Sequence, residues 1–197
     1  MAVNISPVQL RNGHLLSVVG DALRQAELEP ARLELEITET VLIESIEREL
    51  GRLPRDKHDA GLILRELSTR GIRLAIDDFG VGYSSLAYLK YLPVQTIKID
   101  RSFLQGIGVD PAAEALLRAI VALGRSLGKR LVAEGVENDR QLAFVRELGC
   151  DKAQDFHIAR PRPAAEIERL LSPPASRSAA GTPHRAGATA APPPPGP

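Results

Sequence analysis

Cysteine is almost absent: Cys150 is alone among 197 residues, which excludes an internal disulfide framework and a multi-cysteine metal centre and fits a reducing compartment. Its ordinary role is that of a small buried apolar residue. Net charge is missing too. Lys and Arg number 25 and Asp and Glu number 25, so no global field selects a nucleic-acid polymer or an anionic membrane surface, and a polyanionic ligand needs a local site. No uncharged stretch approaches the roughly 20 residues of a membrane span, and no basic segment followed by an apolar run opens the chain. A cytoplasmic location is the expectation. What is present is ordinary for a globular domain, 44% hydrophobic and 25% charged, enough for one core.

Beyond about Ser172 the composition shifts to Pro, Ala, Gly, Ser and Thr, with almost nothing large and apolar to offset chain entropy. This places one domain at 1–171 and a disordered Pro/Ala-rich tail at 172–197. Within the domain, β-rich runs alternate with helical patterns, the mark of βαβ units and a parallel sheet. Six strands are expected: Ala2 to Ile5, Arg32 to Thr38, Ile72 to Asp77, Val94 to Asp100, Arg130 to Glu134 and Asp151 to Gln154. Ser6, Pro7 and Gln9 combine an N-cap, a first-turn proline and a capping box. Asn138 and Gln141 repeat the box, and Gly149 supplies a helix stop. The helix from about Pro111 to Leu127 carries Leu116, Leu117, Ile120, Val121 and Leu127 on one broad face.

The polar content of the strands separates two α/β architectures. Strands of an open sheet covered by helices on both sides read as continuous apolar runs. Here Leu33, Leu35 and Ile37 share one face while Glu34, Glu36 and Thr38 share the other. That alternation points to a TIM-like (β/α)8 barrel. Such a barrel typically takes about 250 residues, so about six βα units in about 170 residues make an incomplete one.

The charged residues fall where a barrel enzyme places its chemistry, at the C-terminal strand ends. Asn4, Glu36, Asp77 with Asp78, Lys98 with Asp100, Glu134 and Gln154 occupy those positions on successive strands. Carboxylates gathered at one mouth repel unless a cation neutralises them, and an all-oxygen set suits Mg²⁺ or Mn²⁺. Adjacent Asp77 and Asp78 can flank a pair of ions that clamp a phosphate and activate a water. Lys98 would hold that water or stabilise the developing charge. The run DDFGVGYSSL from Asp77 to Leu86 reads as a shaped loop, with Gly80 and Gly82 open to conformations other residues avoid.

With these stretches in place the sequence resembles the EAL domain family. The matching segments are VNIS at Val3 to Ser6, LELEITET at Leu33 to Thr40, the loop from Asp77 to Leu86, KIDRSF at Lys98 to Phe103, AEGVEN at Ala133 to Asn138, Gln154, and RPRP at Arg160 to Pro163. The resemblance implies a modified barrel that hydrolyses cyclic-di-GMP to pGpG with Mg²⁺ or Mn²⁺, two ions in an intact site. It implies that Asn4, Glu36 and Asp77 hold one ion, with Asp77 shared and Asp78 on the second. Glu134 corresponds to a second-ion ligand or general base, and Lys98 to the contact of the nucleophilic water. Glu39 corresponds to a glutamate that holds the loop 77–85, which the family also uses near a dimer interface. Asp100, Glu137 and Gln154 correspond to supporting or substrate-binding residues.

Three departures from the family pattern carry expectations. The first two strands of the pattern, with the Glu-Ala-Leu signature and a nearby arginine, have no counterpart, and Met1 falls just before the third, so activity is expected to be impaired by truncation. The stretch RELGRLPRDKHDAG is longer than the pattern, with Pro54 interrupting a helix. Asp155 stands where the family usually has Gly after the last-strand glutamine. The alternative function is a catalytically inactive module that binds cyclic-di-GMP or a protein partner.

Overall fold

The computed structural model describes residues 1–49, 51–52, 60–81 and 89–171. Contacts divide the chain into two units, 1–161 and 162–197. The first unit contains a six-stranded, all-parallel sheet in the order β1 to β6, which fits the incomplete TIM-like barrel. Its strands are β1 Ala2–Asn4, β2 Glu34–Thr38, β3 Arg73–Phe79, β4 Thr96–Ile99, β5 Arg130–Glu134 and β6 Lys152–Gln154. Each expected strand appears within about two residues of its place. The helices of this unit are α1 Pro7–Arg11, α2 Leu15–Gln25, α3 Glu39–Glu49, α4 Ala60–Thr69, α5 Pro111–Ser126 and α6 Asp139–Leu148. In the second unit, α7 spans Ala164–Leu171 and Arg162 pairs with Glu166 one turn on. The tail 172–197 and the helix interruption expected at Pro54 lie outside the described residues.

The alternation along each strand sorts the two faces. Leu35, Ile37, Leu74, Ile76, Ile97, Ile99 and Leu131 are buried in one apolar cluster with Leu10, Leu42, Leu64, Leu67 and Leu117 from the helices. Burying each such side chain contributes about 1.5–3 kcal/mol before entropy is counted. The opposite face carries Glu34, Glu36, Asp77, Thr96, Lys98, Arg130 and Glu134.

Local signals place the elements. At α1 the capping box forms in full: Ser6 Oγ accepts from the Gln9 amide at 3.3 Å, and Gln9 Oε1 accepts from the Ser6 amide at 2.9 Å. At α6 only half forms. Asn138 Oδ1 accepts from the Gln141 amide at 3.0 Å, but Gln141 Oε1 accepts from Glu137 at 2.7 Å instead of from Asn138. The buried Gln141 side chain then donates to the Leu104 carbonyl at 3.0 Å, so tertiary context takes half of the expected box. Gly149 ends α6 in the left-handed region, φ 78°. On α5, Leu117, Ile120 and Val121 are buried as expected, whereas Leu116 is 52% exposed. It lies at the margin of the apolar stripe, beyond the width the sheet covers.

Candidate metal and active site

In-register parallel pairing turns a list of strand ends into a site. Asn4 pairs with Glu36, Glu36 with Ala75, and Thr38 with Asp77, while Lys98 pairs with Val132 and Glu134 with Gln154. Polar residues of one register therefore meet on the face away from the helices.

Lys98 is the hub. It is buried, 5% exposed, and its Nζ lies 2.9 Å from Glu36 Oε2, 2.7 Å from Asp77 Oδ1 and 2.8 Å from Glu134 Oε1. All three partners are themselves largely buried. Burial alone would push the ammonium pKa down, but hydrogen bonds to Asp77, Glu134 and Glu36 outweigh it and raise it. Burial raises the Glu134 pKa, the Lys98 ammonium opposes the rise, and the charges on Asp77 and Glu36 add to it. The Asn4 amide, oriented to satisfy its neighbours, donates to Asp77 Oδ2 and Glu36 Oε2, each at 3.2 Å.

Asp78 reaches the same mouth by a backbone irregularity. Neighbours in a regular strand point to opposite faces. The register between β3 and β4 shifts between Ile76 and Phe79, and Asp78 adopts φ 52°, a left-handed conformation uncommon outside glycine and costly by about 1–3 kcal/mol. One carboxylate oxygen from each of Asp77, Asp78 and Glu134 then falls within 4.8 Å of the others. Desolvation and the charges of Asp77 and Asp100 raise the Asp78 pKa. The strand runs on to Phe79 instead of ending at the aspartates.

The set fits a divalent cation. Four carboxylates converge, with one ammonium and the Asn4 amide among them, and the carboxylate oxygens are hard donors of the kind that bind Mg²⁺ or Mn²⁺.

The remaining expected residues take varied positions. Glu39 is buried at the start of α3 and accepts from the Gly80 amide at 2.9 Å, tying the first residue after β3 to the neighbouring helix. Asp100 caps the 3₁₀ turn Arg101–Phe103, accepting from the Ser102 amide at 2.9 Å. Its own burial is outweighed by the amide and hydroxyl of Ser102 and by Arg101, so its pKa is lowered. Gln154 ends β6 opposite Glu134. Glu137 is exposed on the turn after β5, outside the cluster around Lys98.

Sequence reasoning did not single out Phe103 or Gly135. A Cβ on Gly80 would lie 2.3 Å from the Phe103 ring, and one on Gly135 would lie 2.1 Å from Arg101 Cβ. The turn after β4 is thus wedged against the residues following β3 and β5. Gly80 and Gly135, each the first residue after its strand, were the legible signal.

The chain matches the EAL domain over residues 1–161 and belongs to that family. It is 42% identical over 167 residues to a protein of Pseudomonas aeruginosa named bifunctional diguanylate cyclase/cyclic di-GMP phosphodiesterase MucR, covering 85% of this chain and 23% of that one. The solved structure described as the PaMucR phosphodiesterase, c-di-GMP complex, superimposes with a TM-score of 0.71 at 43% identity, over 84% of this chain and 63% of the other. A manganese/cy-diGMP complex of Klebsiella pneumoniae BlrP1 matches at 29% identity and a TM-score of 0.67, over 79% of this chain and 37% of the other. The chain spans less than a quarter of the length of the first curated relative it matches.

Proposed function

We propose that this chain carries the metal and catalytic residues of a cyclic-di-GMP phosphodiesterase, producing pGpG. The carrying observation is the convergence of Glu36, Asp77 and Glu134 on Lys98 Nζ, with Asp78 beside them, in a chain of the EAL domain family. Mg²⁺ or Mn²⁺, two ions in an intact site, would neutralise the phosphate and lower the pKa of the attacking water. Asn4, Glu36 and Asp77 would hold one ion, with Asp77 shared, and Asp78 and Glu134 would face the second. Lys98 would orient the water, and Glu134 would either take its proton or serve as a ligand of the second ion. Glu39 fixes the start of the loop through Gly80. Asp100 steadies the end of β4, and Gln154 and Glu137 would take supporting or substrate-binding roles. The described part of the loop ends at Val81, so the dimer contact through 77–85 remains part of the proposal. Among the described residues no helix is long and apolar enough to cross a membrane, and a cytoplasmic role in signalling is the corresponding reading.

The test is chromatographic detection of pGpG from cyclic-di-GMP with Mg²⁺ or Mn²⁺. It uses the 197-residue chain and the same chain with a family-type Glu-Ala-Leu segment fused before Ala2. Product that disappears with Glu134→Gln is the expected result. Product insensitive to Glu134→Gln, or cyclic-di-GMP binding with no product from either form, would overturn the proposal, the latter in favour of a binding module.

A further inference from the structure

Three carboxylates at 2.7–2.9 Å from one ammonium make a complete coordination shell for that ammonium, whose three protons each meet one acceptor. Lys98 is also buried, so water does not compete for those protons. Two of its acceptors, Glu36 and Asp77, are the groups that the proposed function assigns to an ion. A carboxylate oxygen that accepts from Nζ at this distance cannot also hold a cation along the same direction, and two cations sharing that pocket repel strongly at low effective dielectric.

We propose that Lys98 is a resident counter-cation that occupies the metal pocket when no ion is bound and must withdraw from Glu36 and Asp77 for a divalent ion to enter. The inference rests on the metal-site reading above and adds a competition to it. The ammonium keeps the acids folded together in the absence of metal and weakens the first ion's affinity. It also couples loading to placement of the lysine, because the same movement that admits the ion frees Nζ from two of its acceptors. Lys98 is therefore a residue that sets metal affinity as well as one that faces the reacting water.

The probe is Mn²⁺ alone, measured by calorimetry on the protein and on Lys98→Met. Removing the resident ammonium is expected to tighten Mn²⁺ binding by about tenfold or more, while the metal-free variant melts at a lower temperature and gains more from Mn²⁺ than the parent does. Lys98→Arg, which keeps the charge, is expected to bind no tighter than the parent. Arg130→Met removes the same charge from the neighbouring strand, β5, but not from these carboxylates, and is expected to change affinity by less than about threefold. Equal tightening by Arg130→Met would reduce the effect to net charge and overturn the proposal.

A second measurement needs no variant. With lysine Nζ labelled by ¹⁵N, the protected Lys98 ammonium signal is expected to shift and exchange faster as Mg²⁺ is added, and an unchanged signal at saturation would overturn the competition. If the parent binds Mn²⁺ and Lys98→Met binds it no tighter, this inference fails while the metal site stands. If neither binds Mn²⁺, both fail; if only Lys98→Met binds it, the inference is supported.

Discussion

The polar face of the sheet carries two charged layers, and they are opposites built on the same strands. At the mouth, Glu36, Asp77 and Glu134 surround a single Lys98, with the exposed Asp78 beside them. Two residues earlier along β2, Glu34 accepts from Thr96 at 2.9 Å and from Arg130 at 3.1 Å, with Arg73 3.9 Å away. The mouth has an excess of acid and the floor an excess of base. Each floor arginine is more than a third exposed, whereas Lys98 is enclosed. An excess of base that water reaches needs no further ligand, since solvent screens it. An excess of acid shut away from water has less of that relief and is therefore the layer that suits a cation.

The sharpest way to break this comparison is to delete one acid from each layer. Glu36→Ala and Asp77→Ala are expected to abolish Mn²⁺ binding, whereas Glu34→Ala should keep its affinity within about threefold, because Glu34 lies beyond the reach of Lys98. Calorimetry on the three variants decides it, and equal losses for Glu34 and Glu36 would mean that the two layers are one site. Next in size is Gly80→Ala. Its φ of 99° and the Phe103 ring 2.3 Å from a new Cβ force the segment after Asp78 to move. A displacement near 1 Å would lower turnover by about a hundredfold in an active form of the protein, with thermal stability much less affected.

Glu34→Ala should reveal its cost in folding instead. It leaves Thr96 and Arg130 without their shared acceptor and Arg73 without its nearest anion, and a loss of about 1–2 kcal/mol in a denaturant titration is expected, held down by the exposure of both arginines. The smallest effect sharpens the contrast in backbone strain. Asp155 sits at φ 153°, a region favourable to glycine, held by its own carboxylate accepting from the Phe156 amide at 2.5 Å. Asp155→Gly is expected to stabilise the chain by about 1 kcal/mol, the relief of strain exceeding the added chain entropy. A destabilisation would show that the carboxylate contact outweighs the strain.

The same division describes what could be read from the residues alone. Strand positions and the inward register of Glu34 and Glu36 were legible because period-two alternation is written directly in LELEIT. The helix stop at Gly149 was legible because a left-handed C-terminal position favours glycine. The mouth was less so. Asp78 was expected beside Asp77, but the turn that brings it there is a left-handed aspartate at a shifted register between β3 and β4, and such a shift arises from pairing between strands, not from the local sequence. The expected face of α5 was one residue too wide, at Leu116, because the helical period marks the centre of a stripe better than its edges. The grip of one ammonium by three acids from three strands is a property of their meeting, and each residue by itself reads only as a charge.

Gln141 has a consequence for motion. Through one buried amide group it is joined to the amide of Glu137, just past β5, and to the carbonyl of Leu104, just past β4. Those two segments follow the strands that carry Glu134 and Lys98. Fastened to the same pin, they share displacements that would otherwise be independent. Thermal drift then tends to carry the acid and the ammonium together, so the distance between them fluctuates less than the position of either. The site can breathe as a unit and still keep its charges in step.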